Sequence, residues 1–167
     1  MSKAFTKEDG PANEEPAVAR RAPLPDGTPN YVTRRGLALL EAELARLEAE
    51  RAARGGEGDA RRVAWLRLGA QIAELTARIA SAVPIAPPAE ADDLVRFGAA
   101  VRIRREDGSE EVWRIVGVDE ADPKQGSIAF VAPLARALLG KHEGDGVRFA
   151  SPRGAEEIEI VAVDYAG

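Results

Sequence analysis

The chain has no cysteine, one histidine, one methionine and few aromatic side chains, 5% of its 167 residues. Without thiols there is no disulfide, no thiolate nucleophile and no thiolate metal site, which agrees with a reducing compartment. The lone histidine, His142, sits in a turn beside Lys141 and Glu143 with no serine or cysteine pattern around it, so no nucleophilic triad is expected. No phosphate-binding loop of the GxxxxGK type occurs. No stretch approaches the roughly 18 apolar residues of a membrane span, and residues 1–9 lack a signal-peptide core. These absences exclude a membrane partner and lead us to expect a cytoplasmic protein.

What is present is charge and alanine. The hydrophobic fraction is 45% and the net charge is −5, a balance that argues against free nucleic acid as a partner. The charge is unevenly placed: residues 1–30 carry −1, residues 31–83 carry +2 and residues 84–167 carry −6. Arg102, Arg104 and Arg105 flank one expected strand, but Glu106, Asp107, Glu110 and Glu111 lie beside them and cancel a phosphate-binding surface. Asp119, Glu120 and Asp122 gather before Pro123 without the spacing of a calcium loop.

Residues 1–30 hold five prolines among mixed charges and almost no large apolar groups. They are read as a disordered tail, because nothing in them offsets the entropy of ordering. From 31 to 83 the pattern turns helical. Thr33 is an expected N-cap, and Leu37, Leu40, Leu44 and Leu47 form one stripe, answered by Trp65, Leu68, Ile72, Leu75 and Ile79. Between the stripes, Gly55-Gly56-Glu57-Gly58-Asp59 breaks the helix, with Asp59 placed to cap the second one. Two single-seam helices joined by a tight turn predict an antiparallel coiled-coil hairpin.

Pro84, Pro87 and Pro88 predict a stiff linker over residues 84–91. Beyond it, the domain of residues 92–167 has strand periodicity. Strands are expected over 100–104, 112–118, 127–131, 147–150 and 157–163, with Asp107-Gly108 as a hairpin turn and Ile158, Ile160 and Ala162 facing inward. The fold class is α+β: a helical hairpin followed by an antiparallel β domain with one short helix. That helix is fixed by Ala132-Pro133-Leu134-Ala135-Arg136-Ala137-Leu138-Leu139-Gly140, in which Pro133 suits the first turn, Leu134, Leu138 and Leu139 share a face, and Gly140 ends the helix.

The run 132–147, together with Val95-Arg96-Phe97-Gly98 and Arg114-Ile115-Val116-Gly117-Val118-Asp119-Glu120-Ala121-Asp122-Pro123, resembles the C-terminal domain of the Gre-type transcript cleavage factors, the GreA/GreB family. The resemblance extends from about Tyr31 to the end. It implies an FKBP-like β domain and RNA polymerase as partner, bound at the rim of the secondary channel, with nucleic acid met only through the polymerase complex. In the family, an acid-Ser-Pro triplet at the start of the short helix meets a coiled coil at that rim. The matching positions here are Val131, Ala132 and Pro133, so only the proline is retained; an apolar dock of Val131, Ala132, Pro133 and Leu134 is the candidate contact.

Cleaving members of the family present two acids at the hairpin tip to help hold a catalytic Mg²⁺, an ion that takes oxygen ligands. This chain lacks their Gly-Asp-x-Ser-Glu-Asn-Ala-Glu-Tyr motif and offers only Glu57 and Asp59, followed by Arg61 and Arg62, on arms that look several turns shorter. It is similar in that respect to the non-cleaving relatives, including the regulator of nucleoside diphosphate kinase. The expectation is a regulator of elongation with no catalytic residue, metal ligand or cofactor of its own. Two alternatives stay open: a cleavage stimulator that donates Glu57 and Asp59, and a coiled-coil adaptor for a different partner. Prolyl isomerase activity would need an aromatic-lined pocket, whereas Phe97, Trp113, Phe130, Phe149 and Tyr165 are spread along different strands.

Overall fold

A computed structural model describes residues 21–54, 58–90 and 92–165. Two long helices precede a curled mixed sheet. Helix α1 (Arg34–Ala53) starts where expected: the Thr33 hydroxyl accepts a hydrogen bond from the Gly36 N–H at 2.8 Å and so satisfies one orphan donor of the first turn. Helix α2 (Asp59–Ala80) departs from expectation by one position. Gly58 takes the cap and Asp59 is the first helical residue, where its charge still faces the positive end of the helix dipole.

The helices pack through the two stripes. Leu40, Leu47, Leu68 and Leu75 are buried together with Val32, and Leu37, Leu44, Ile72 and Ile79 pack around them. Trp65 is not in this seam as expected. It is 41% exposed, and the Arg51 guanidinium carbon lies 3.9 Å from its ring centroid, a cation–π contact that covers the ring from the side of α1.

The hairpin is closed at its base by a pairing that the sequence pattern did not announce. Strand β1 (Asn30–Val32) runs parallel to β2 (Ala82–Pro84), so the residue groups entering and leaving the hairpin lie side by side. Pro84 ends this short strand, as its missing N–H permits. The expected tail over residues 1–30 divides accordingly: residues 1–20 lie outside the described residues, whereas Arg21 onward is placed and Asn30 is buried. The reason lies in the Asn30 side chain. Its amide donates to the carbonyl of Arg78 at 2.9 Å and to Ser81 Oγ at 3.1 Å, satisfying a terminal carbonyl of α2.

The sheet has the order β5-β4-β3-β7-β6. Strand β3 (Ala100–Arg105) pairs antiparallel with β4 (Glu110–Val116) through the Asp107-Gly108 turn, where Gly108 supplies a φ of 83°. Strands β6 (Gly146–Ser151) and β7 (Gly154–Asp164) form a second hairpin, and β7 lies against β3. The expectation of a wholly antiparallel sheet is corrected at β5 (Ser127–Ala129), which runs parallel to β4. After β4 the chain does not turn tightly; it travels back over residues 117–126, including a 3₁₀ turn at Pro123–Gln125, and therefore re-enters the sheet in the same direction.

Helix α3 (Pro133–Leu138) buries Ala135 and Leu138 on one face of this sheet. They join Val95, Val101, Ile103, Ile115, Ile128, Val147, Ile158 and Ile160 in the main core. The inward period-two residues Ile158 and Ile160 are at 4% and 0% exposure, while Ala162 is only half-buried. Among the described residues, no helix is long and apolar enough to cross a membrane.

Candidate functional site

Three places carry the residues singled out from the sequence: the edge that leads into α3, the far end of the helical pair, and the base where the pair meets the sheet. The first is built by β5. Phe130 closes the strand with a hydrogen bond from its N–H to the Val116 carbonyl (2.9 Å), and the Ala132 N–H turns back to the Ala129 carbonyl (2.8 Å). Pro133 then starts α3 at a position where no N–H is needed. Ala132 is the N-cap and has no side-chain oxygen to accept from the first turn, so the helix begins uncapped. The four residues divide in orientation. Pro133 is exposed, Val131 is half-buried, and Ala132 and Leu134 lean on the main core.

Beside them lies an aromatic cluster. Tyr31 from β1, Phe97 from the turn ahead of β3, and Phe130 meet with centroid separations of 6.0, 5.5 and 5.6 Å, the two phenylalanines edge to face. All three are half-buried. Two of the aromatics expected to be scattered are thus in contact, joined by one that sequence reasoning passed over. Tyr31 belongs to a different segment of the chain, and no local spacing links it to the others.

At the far end of the helices, Asp59 is exposed and Glu57 lies outside the described residues. Arg54 pairs with Glu50 at 2.8 Å, and a cavity of about 310 Å³ is lined by Ala53, Arg54, Arg61 and Ala64. Arg61 and Arg62 are exposed. Among the described residues, no group of three or more His, Cys, Asp or Glu side chains gathers in a way that could hold a metal ion.

The base is the most connected of the three. Asp119, whose side chain is 8% exposed, accepts from Arg21 at 3.2 Å and lies 3.2 Å from Arg78 Nε; Arg21 also reaches Glu43 of α1 at 2.5 Å. Burial works against the Arg21 charge, but its hydrogen bonds to Glu43 and Asp119 and their attraction outweigh it, and its pKa is raised. Glu120 accepts from the Thr33 hydroxyl. Asp122 accepts from the Lys124 N–H and the Gln125 amide, both at 3.0 Å, and so caps the 3₁₀ turn. The three acids that cluster loosely in the sequence have separate structural partners, two of them across the base.

Other candidates resolve into ordinary contacts. Arg104 pairs with Glu110 (2.9 Å) and Glu159 (3.1 Å), and Arg105 pairs with Glu111 (3.1 Å) and with Glu156. The Trp113 indole donates to Glu111 at 2.9 Å. His142 is exposed, with Nδ1 3.9 Å from Asp145.

The model of the GreA/GreB C-terminal domain of transcription elongation factors matches residues 90–165. Transcription elongation factor GreA of Desulfovibrio desulfuricans is 40% identical over 149 residues, covering 79% of this chain and 91% of that protein. The chain belongs to the GreA/GreB family. Transcription elongation factor GreB of Neisseria meningitidis serogroup B is more similar over a shorter stretch, 48% identical over 92 residues. That match takes in 54% of this family member, which spans only 56% of the Neisseria protein. A solved GreA/GreB structure from Nitrosomonas europaea is 24% identical, covering 81% of this chain and 98% of that one at a TM-score of 0.42. The family match contains both the α3 edge and the acids Asp119 and Glu120, but not Tyr31, Thr33 or Arg78, which lie ahead of residue 90.

Proposed function

We propose that this GreA/GreB family member is a cytoplasmic regulator of transcription elongation that binds RNA polymerase at the rim of its secondary channel and contributes no metal ligands or catalytic groups. In this reading the helical pair, residues 31–83, is a short antiparallel coiled coil, and residues 92–167 form an FKBP-like domain that does the gripping. The Pro133 edge and the adjoining Tyr31, Phe97 and Phe130 supply an apolar contact in place of an acid-serine pair. Desolvating half-buried aromatic and proline surface favours association without requiring directional polar partners.

One observation carries the absence of cleavage stimulation. The far end of the hairpin places Arg61 and Arg62, both exposed, just behind Asp59. Two guanidinium groups so near a carboxylate oppose a divalent cation by simple Coulomb repulsion. A protein so arranged occupies the channel entrance and competes with cleaving relatives or slows nucleotide traffic.

The test is a stalled elongation complex assayed for transcript shortening with the chain and with its Glu57→Ala/Asp59→Ala variant. The expected result is co-purification with core polymerase and no cleavage above background for either protein. Stimulation that vanishes in the variant would overturn the reading in favour of a cleavage factor. Failure to bind core polymerase at micromolar concentration would favour an adaptor with another partner.

A further inference from the structure

Among the described residues, the ion pairs and hydrogen bonds between the hairpin and the sheet domain lie at the hairpin's base, so the direction in which it points depends on the joint there. Each helix is long relative to that joint: 20 residues in α1 span about 30 Å, so a 10° turn at the base carries the far end through about 5 Å. A joint with such leverage needs contacts that resist rotation, and apolar packing alone resists it poorly because it is non-directional.

The directional contacts are the hydrogen bond from the Thr33 hydroxyl to Glu120 and a set of ion pairs, and the ion pairs come from three segments. Asp119 lies on the loop after β4, Arg78 on the last turn of α2, and Arg21 on the chain ahead of the hairpin. Arg21 bridges Asp119 to Glu43, more than two turns along α1, while the Arg78 guanidinium donates at 2.5 Å to the carbonyl of Ala22. Two guanidinium groups and two carboxylates therefore tie both helices and the sheet to residues 21 and 22. The tie is shielded on the Asp119 side and open at Glu43: the side chains of Asp119, Arg78 and Arg21 are 8%, 13% and 19% exposed, and that of Glu43 is 39% exposed. Shielding from solvent strengthens such pairs and makes loss of one partner costly.

Close backbone approach completes the joint. A Cβ added at Gly117 would stand 2.6 Å from the Tyr31 carbonyl oxygen, and one at Gly36 would stand 2.6 Å from Glu120 Oε2. At Gly117 backbone meets backbone and leaves no room for a side chain, whereas at Gly36 the neighbour is the movable end of the Glu120 side chain.

We propose that the segment ahead of the hairpin is a latch, with Arg21 as the positioning residue that fixes the angle between the helical pair and the sheet. The latch sets where the far end stands relative to the Pro133 edge. This inference deepens the channel reading above, since that reading requires a fixed angle, but the geometry it predicts exists in the free protein.

The absence of native cysteine allows the angle to be read directly. Spin labels on Arg62→Cys, at the far end, and Arg153→Cys, in the exposed turn between β6 and β7, report the distance by pulsed electron resonance. In the otherwise unchanged chain the expected distribution is narrow. Arg21→Ala shifts or broadens it by about 5 Å or more, and Arg21→Lys, which keeps the charge but loses the planar fork, restores part of the narrow peak. Circular dichroism of Arg21→Ala shows undiminished helix, because Arg21 is not among the residues of the leucine seam. An unchanged distribution overturns the latch. So does loss of helix in Arg21→Ala, which would make Arg21 a support of the hairpin's fold rather than of its direction. A chain that shows the latch yet ignores polymerase would sink the channel reading and leave the latch standing.

Discussion

Leu75 is the deepest side chain of the helical pair, at 0% exposure, and its truncation to alanine is the most direct test of how the two parts share stability. The hairpin core contains five buried apolar residues, Val32, Leu40, Leu47, Leu68 and Leu75. At about 1.5–3 kcal/mol for each, their burial supplies some 7–15 kcal/mol before chain entropy is subtracted. Leucine-to-alanine changes at buried sites cost about 2–5 kcal/mol, the higher values where the surroundings cannot collapse into the space. Here the neighbours are held on two helices and a short strand, so relaxation is limited and a cost in the upper half of that range is expected. Such a loss is a large fraction of what holds the pair together, yet Leu75 is absent from the sheet core around Ile103, Ile115 and Ile160. Leu75→Ala should therefore melt the helices well before the sheet. The assay tracks ellipticity at the helical minimum together with the fluorescence of Trp113, which packs on the sheet core, in a Trp65→Phe background. In the parent both signals fall late; in the variant the helical signal falls first. Coincident transitions at the parent's midpoint would refute the assignment of Leu75 to a separate, marginal core.

Gly117→Ala puts a methyl group 2.6 Å from a backbone oxygen that cannot rotate away, so β1 must move, at about 1–3 kcal/mol; displaced Tyr31 ring resonances alongside lower stability are expected, and unchanged spectra would contradict the close approach. The Glu111 carboxyl is held below its ordinary value of 4.5, first by hydrogen bonds from Arg105, against burial and with help from the Trp113 N–H. An unfolded carboxyl binds its proton near the ordinary value, so this group's stabilising effect is complete above that pH and disappears as pH falls through the lowered folded value. With 39% of the side chain exposed, the effect is under about 1 kcal/mol. Melting temperatures of the parent and Glu111→Gln should differ near neutrality and converge in strong acid; a gap that persists at pH 2 would assign the difference to packing instead.

The local elements were legible because they obey short periods. The leucine stripes at alternating spacings of three and four predicted both helices, and the alternation around Ile158 and Ile160 located β7, although that strand extends three residues further toward its start. The Asp107-Gly108 turn fixed the first sheet hairpin, with β4 beginning and ending two residues earlier than expected. What escaped were pairings between distant short segments. Three-residue strands such as β1 and β2 are too brief to show a period, and their partnership joins residues about fifty positions apart. The spacing of Asp119 and Glu120 excluded a calcium loop but named no partner for them, because Arg21, Arg78 and Thr33 lie far earlier in the chain and meet them only at the base of the folded hairpin. At the candidate site, Pro133 and its neighbours were visible as a motif, whereas the aromatic triad depends on Tyr31 arriving from that same distant segment.

The parallel ladder between β1 and β2 has a consequence for how such a chain can change over generations. Because the strands are paired in register from Asn30 with Ala82 to Val32 with Pro84, the two helices form a closed excursion that leaves and returns at one stapled doorway. Whole heptads can be inserted into or removed from both arms beyond that staple without altering any residue of the sheet. The length of the arms thereby becomes an adjustable dimension, separable by selection or by an engineer from the sheet and its short helix.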